Sequence, residues 1–330
     1  MILRALASNQ PYTLITLPLV TVGLMFPLFR VSNWNVVDTK FPMDSVFFPY
    51  YSSPAIILTI LFVLILGGAM LANRVFNKHE FLNVPVFVPA FTYAMSASAL
   101  CLIQMSIPAL LANIFILLGL QRHLTIHRQP RVLTYAFESA FWYGMAAVVF
   151  PPYIVLLAGM LVAVLISRAF HWREILIPIL SFGVPFLYWV VWMYVFDYHD
   201  HIILFQKTVS WDNIQYFSLL SWPEKLFVIA TFIVFVAALP RYLILSERGT
   251  NKAKNVKHVF LIIALSIIAS LIVGYLLLFK WVLLTAVVPL AFIAGYWFSN
   301  YRYSFLAPFV FYLYCVAAIV LVVATALIRA

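Results

Sequence analysis

Long apolar runs, interrupted at intervals by short polar and basic stretches, set the pattern of the chain. A helix needs roughly 20 apolar residues to cross the hydrocarbon of a bilayer. Residues 12–29, 54–72, 175–196, 226–245 and 305–328 each satisfy that once. Residues 84–120, 132–167 and 260–298 are too long for one crossing, and each is interrupted near its middle: Ser106-Ile107-Pro108, Phe150-Pro151-Pro152 and Phe279-Lys280-Trp281. Proline removes a helical donor and restricts the residue before it, so a tight turn is expected at the first two. Reading each long run as a hairpin predicts an all-α, polytopic membrane bundle of about eleven transmembrane helices. The whole of residues 1–330 then forms one membrane domain.

Composition agrees. Hydrophobic residues make up 65% of the 330 and charged residues 9%, where a soluble globule carries roughly 25% charge. Soluble, disordered, collagen-like and disulfide-knit classes are excluded on those figures. Cys101 and Cys315 lie inside apolar runs with no metal or disulfide spacing and read as packing residues. The first run is longer than a secretory core and lacks a small-x-small cleavage site, so it reads as a retained span.

The net charge of +10 could suggest a nucleic-acid partner, but the positions of the basic residues give a topological explanation. With every long run a hairpin, fourteen of the twenty lysines and arginines fall on one side: Arg4, Arg74, Lys78, Arg122, Arg128, Arg131, Arg168, Arg173, Arg241, Arg248, Lys252, Lys254, Lys257 and Arg302. Cytoplasmic loops carry such an excess. The expected topology therefore has the N-terminus in the cytoplasm and the C-terminus outside. Basic loops 121–131, 167–173 and 246–257 lie inside, and two larger segments, 30–53 and 197–225, lie outside. The inner loops could hold anionic lipid head groups, although positive-inside bias alone accounts for their charge. The small residues Thr92, Ala94, Ser96, Ala97, Ser98 and Ala99 suit close helix packing.

Reactive side chains concentrate in the two outer segments. The first carries Arg30, Asp38 and Asp44; the second carries Asp197-Tyr198-His199-Asp200-His201, then Lys207 and Asp212. Carboxylate, imidazole and ammonium in one aqueous pocket supply a general base and a phosphate clamp. The plainer reading is that such segments are polar because they are wet, with Asp44 and Ser45 capping a short interfacial helix. His199 and His201 could bind a transition metal, but the sequence fixes no third ligand, so a divalent cofactor stays open. Glu138 is the one acid well inside a run, a functional candidate by depth, or else a partner of Arg122, Arg128 or Arg131. No other run carries a buried charge on this reading, which argues against an ion relay.

From Glu138 onward the features come in a recognisable order. Residues Trp142-Tyr143-Gly144-Met145-Ala146-Ala147-Val148-Val149-Phe150-Pro151-Pro152 lead into an apolar run ending at Arg168. Trp172-Arg173-Glu174, Pro178 and Gly183-Val184-Pro185 follow. This resembles the central membrane region of the GT-C superfamily of polyprenyl-phosphate-sugar glycosyltransferases, and the whole chain looks similar to an uncharacterised membrane family of Bacteroidota. The first resemblance implies sugar transfer from a lipid-phosphate carrier at the outer face. An acid of the first outer segment, Asp38 or Asp44, would be the catalytic base, with Arg30, His199, His201 or Lys207 holding the phosphate. The first outer segment is shorter than that superfamily's and lacks its adjacent acidic pair. Two other functions fit the same features: a non-catalytic subunit with protein partners in an envelope complex, and a transporter of lipid-linked intermediates.

Overall fold

The computed structural model describes residues 3, 6, 12–30, 54–82, 84–103, 105–126, 132–167, 172–196, 220–246, 251–276, 282–300 and 306–328. Eleven α-helices lie among them: α1 (Tyr12–Met25), α2 (Pro54–Lys78), α3 (Val88–Ile103), α4 (Ile107–His123), α5 (Val132–Val149), α6 (Leu156–Ser167), α7 (Trp172–Val195), α8 (Trp222–Ser246), α9 (Asn251–Leu276), α10 (Val287–Ser299) and α11 (Leu306–Ile328). Short 3-10 segments follow α1 (Phe26–Arg30) and precede α6 (Pro151–Val155) and α10 (Val282–Ala286). Six helices are long and apolar enough to cross a membrane, and five shorter apolar ones accompany them.

All three long runs divide into two helices, and two of the breaks have a visible cause. Ser106 is extended and its hydroxyl accepts the Ala109 amide at 3.3 Å, with a proline in the first turn of α4. Phe150 is extended ahead of Pro151 and Pro152, because a proline disfavours the helical conformation of the residue before it.

Eight helices close a sheath in the spatial order α1, α2, α4, α5, α6, α9, α8, α11 and back to α1. Inside it run α3 and α10, packed on each other; α7 lies outside, against α5 and α6. Residues Val88 to Leu102 of α3 and Val287 to Phe298 of α10 are buried without exception. A helix apolar on every side belongs in such a place. The 16 residues of α3 measure about 24 Å, short of the roughly 30 Å hydrocarbon core. Surrounded by protein, α3 has no lipid boundary to match.

Small residues let the helices approach. A Cβ on Gly295 would lie 3.1 Å from the ring and backbone of Pro89, and Thr92 donates to the carbonyl of Ala291 at 3.2 Å. Both contacts join α3 to α10. A Cβ on Gly144 of α5 would overlap the Phe182 carbonyl oxygen of α7. The small-residue stretch of α3 thus serves packing, as its pattern suggests.

The end of α2 is a complete C-terminal motif. Phe81 donates to the carbonyl of Phe76, Glu80 donates to that of Asn77, and the Phe76 and Phe81 rings stack at 4.9 Å. Glu80 takes φ 55°, the left-handed position usually given to glycine. The Asn77 amide then holds both backbone groups of Val86. Phe81 packs on Phe260 and Phe292 as well, closing one end of the bundle with aromatic rings from α2, α9 and α10.

Two boundaries differ from the sequence reading. The loop expected at 246–257 is shorter, because α9 begins at Asn251; Lys257 becomes a helical residue, 4% exposed. The segment expected to run to Lys225 ends at Ser221, whose backbone amide is accepted by the Glu224 carboxylate at 2.8 Å. Ser221-Trp222-Pro223-Glu224 has the spacing of a capping box, a local signal that starts α8 early. Cys101 is buried, Cys315 half-buried, and both are free thiols.

The Gly144 contact is with backbone, which cannot rotate away. Gly144→Ala is expected to lower stability by about 1–3 kcal/mol in thermal unfolding of detergent-solubilised protein. Gly183→Ala, where a Cβ meets nothing within 4 Å, is expected to leave the midpoint unchanged. Phe81→Ala is expected to cost about 3 kcal/mol or more, because three aromatic contacts are lost together.

Candidate functional site

Most of the sequence candidates fall outside the described residues: Asp38, Asp44, His199, His201 and Lys207. The Arg30 backbone closes the 3-10 turn Phe26–Arg30, and its side chain is outside them too. The places where these segments begin and end can be given. The first departs from the Phe26–Arg30 turn, which packs against α11, and the second ends at α8, which lies along the same helix. Phe227 near the start of α8 stacks on Tyr314 of α11 at 5.4 Å.

Three polar groupings stand out among the described residues. The first ties three elements together: Tyr153 donates to the Asn113 side-chain oxygen at 2.6 Å, and the Asn113 amide donates to the carbonyl of Leu284 at 2.9 Å. It joins α4 to the 3-10 segments ahead of α6 and α10. Every group in it is buried and neutral, so it serves as a pin; nothing in it can carry charge.

The second surrounds Lys257 on α9. Its ammonium donates to the Tyr296 hydroxyl at 3.1 Å and lies 5.0 Å from that ring's centroid. The Tyr242 hydroxyl donates to the Lys257 carbonyl at 3.0 Å, and Tyr242 meets Tyr296 edge-on at 5.2 Å. A lysine enclosed by two tyrosines from α8 and α10 corrects the expectation that Glu138 is the only ionisable group within the spans. Sequence reasoning missed it by ending the polar loop at Lys257. The Ser-Glu-Arg-Gly-Thr-Asn-Lys-Ala-Lys-Asn-Val-Lys composition hides a helix whose inward face begins at Val256.

The third lies between α4 and α5. Arg122 Nε and Glu138 Oε2 form an ion pair at 3.0 Å with both side chains part-exposed, so the sequence reading that pairs Glu138 with a nearby arginine holds, and the partner is Arg122. Beside it His123 is 2% exposed, 6.2 Å centroid to centroid from Tyr143. Among the described residues neither His123 nitrogen nor the Tyr143 hydroxyl has a hydrogen-bond partner.

The residues carrying the resemblance sit on α5, the 3-10 turn and α7: Trp142 to Val149 on α5, Pro151 and Pro152 in the turn, Trp172-Arg173-Glu174 opening α7, and Pro178 and Pro185 within it. Known proteins offer no likeness: no family model matches the chain, and neither does any curated protein or solved structure. Among the described residues no three histidine, cysteine or acidic side chains come together as a metal site.

Tyr153→Phe is expected to destabilise the fold by about 1–3 kcal/mol, because it strands the buried Asn113 oxygen. Chemical-denaturant unfolding in detergent measures it. Lys257→Met keeps the volume and removes the charge, and is expected to shift the same midpoint less than Tyr153→Phe does.

Proposed function

We propose that the chain crosses a bacterial inner membrane eleven times, with its N-terminus in the cytoplasm, and acts as a GT-C-like glycosyltransferase at the outer face. A polyprenyl-phosphate sugar is the donor. Asp38 or Asp44 takes the proton of the acceptor hydroxyl, and Arg30, Lys207 or the pair His199 and His201 receives the departing phosphate. Transfer needs both parts: a carboxylate at the attacking oxygen and cations where negative charge develops.

One observation carries this reading. The segment with the acids leaves from a turn on α11, and the segment with the imidazoles returns through α8 beside α11. The roots of the two segments therefore pack on one common neighbour. The membrane placement draws support from aromatic side chains at helix ends, where Trp172, Tyr194 and Trp222 are exposed, as rings in the headgroup region are.

The packed axis bears on the alternatives. Val88 to Leu102 of α3 and Val287 to Phe298 of α10 are buried throughout, so the centre of the bundle is filled by two packed helices. That favours an enzyme or a fixed subunit of an envelope complex over a conduit for lipid-linked intermediates.

Purified protein in vesicles, given a polyprenyl-phosphate sugar and an acceptor, is expected to consume donor. The double variant Asp38→Asn, Asp44→Asn is expected to lose about 100-fold or more of that rate, with its unfolding midpoint kept. Full turnover in that variant would sink the transferase and favour the subunit reading. Cysteines placed at Thr39 and Thr208 are expected to react with an impermeant maleimide in intact cells, and one at Thr250 only after permeabilisation. Labelling of Thr250 from outside would overturn the topology while leaving the chemistry to be judged by the donor assay.

A further inference from the structure

The exposed face of α2 reads as one continuous stripe, in which Val63, Met70, Arg74 and Lys78 are all exposed. Their spacings of seven, four and four put them on one side of the helix. The apolar part has a notch, because a Cβ on Gly67 would meet nothing within 4 Å. The stripe ends in two cations one turn apart. Across the helix pair Arg122, in the last turn of α4, adds a third, and Lys78 feels the positive charge of both arginines. α2 and α4 are neighbours that run the same way, since the chain reverses twice between them. Their ends therefore coincide.

This gathering is unbalanced. Among the described residues Glu138 forms an ion pair with Arg122, and neither Arg74 nor Lys78 has an acidic partner. That pair engages the guanidinium through Nε, one of its five N–H donors. Positive-inside bias explains why cations lie at this end of the bundle. It does not explain why three of them from two helices crowd one patch directly below an open apolar stripe.

We propose that this surface seats an anionic phospholipid. Its phosphate lies among Arg74, Lys78 and Arg122, and one acyl chain follows Met70, Gly67 and Val63 along α2. A soluble phosphate would use the cations alone; the apolar stripe with its notch selects the lipid. The site is independent of the transferase reading, since it uses none of that reading's residues.

The test uses the full chain in a neutral detergent, with thermal unfolding followed as lipid is added. Phosphatidylglycerol is expected to raise the midpoint, phosphatidylcholine of the same acyl chains is not, and glycerol phosphate is not. Arg74→Gln with Lys78→Gln is expected to weaken the phosphatidylglycerol response, roughly fivefold in half-effective concentration for each charge removed. Arg241→Gln, at an exposed basic position outside the three basic loops, is expected to leave it unchanged. Gly67→Leu fills the notch without touching a charge and is expected to weaken the response as well, which keeps the test decisive if the charge variant fails to fold. Equal responses to both lipids, an equal response to glycerol phosphate, or an unchanged response in both Gly67→Leu and the α2 charge variant would overturn the proposal.

Discussion

Enclosing two helices on every side is the constraint from which the rest of the structure follows. α3 and α10 have no face toward lipid or water, so every side of them must be packed by neighbours while their backbone groups are satisfied within each helix. Helices that meet in this way are held by close contact and polar bonds, because hydrocarbon tails are as apolar as leucine and burial of apolar surface drives little. The Pro89–Gly295 approach and the Thr92 bond to Ala291 are the local form of that requirement. The serine at 96 extends it to the sheath, where the Tyr314 hydroxyl of α11 donates to it at 3.0 Å. The axis is thus bonded to its wrapping as well as to itself.

The two ends of the bundle are finished differently. One is closed by stacked rings from Phe76, Phe81, Phe260 and Phe292, with the enclosed Lys257 beside them. At the other, short 3-10 turns are tied together through Asn113. Rings close an end by volume, and they tolerate neighbours that shift slightly. A hydrogen-bonded tie among turns fixes their relative height instead. The segments with the candidate acids and imidazoles adjoin the Phe26–Arg30 turn and the start of α8, both of which pack on α11.

Much of the architecture was legible in the run lengths and in two prolines. Pro108 and Pro151 act locally, through a missing donor and a restricted neighbour, so their effect can be read without knowing the fold. The capping box at Ser221 is equally local, and could have been read from its spacing. Lys257 could not. Its burial depends on Tyr242 and Tyr296, which arrive from helices before and after it, and a loop-like composition precedes it. The ring order of the sheath was equally out of reach, since apolar helices in lipid carry little periodic mark of which neighbour they face. The same holds for the patch at Arg74, Lys78 and Arg122. The charge pattern leads one to expect all three on one side, and only the packing of α2 on α4 makes them a single surface.

The contact between Thr92 and Ala291 spans 199 positions. A ribosome therefore delivers α3 to the bilayer long before the helix it is built to lie against has been made. Until then the Thr92 hydroxyl has the carbonyls of Val88 and Pro89 in its own helix, and what α3 lacks is the surface of α10 it packs against. Chains cut short ahead of α10 would leave it permanently without its mate, a ready mark for the membrane's quality-control proteases.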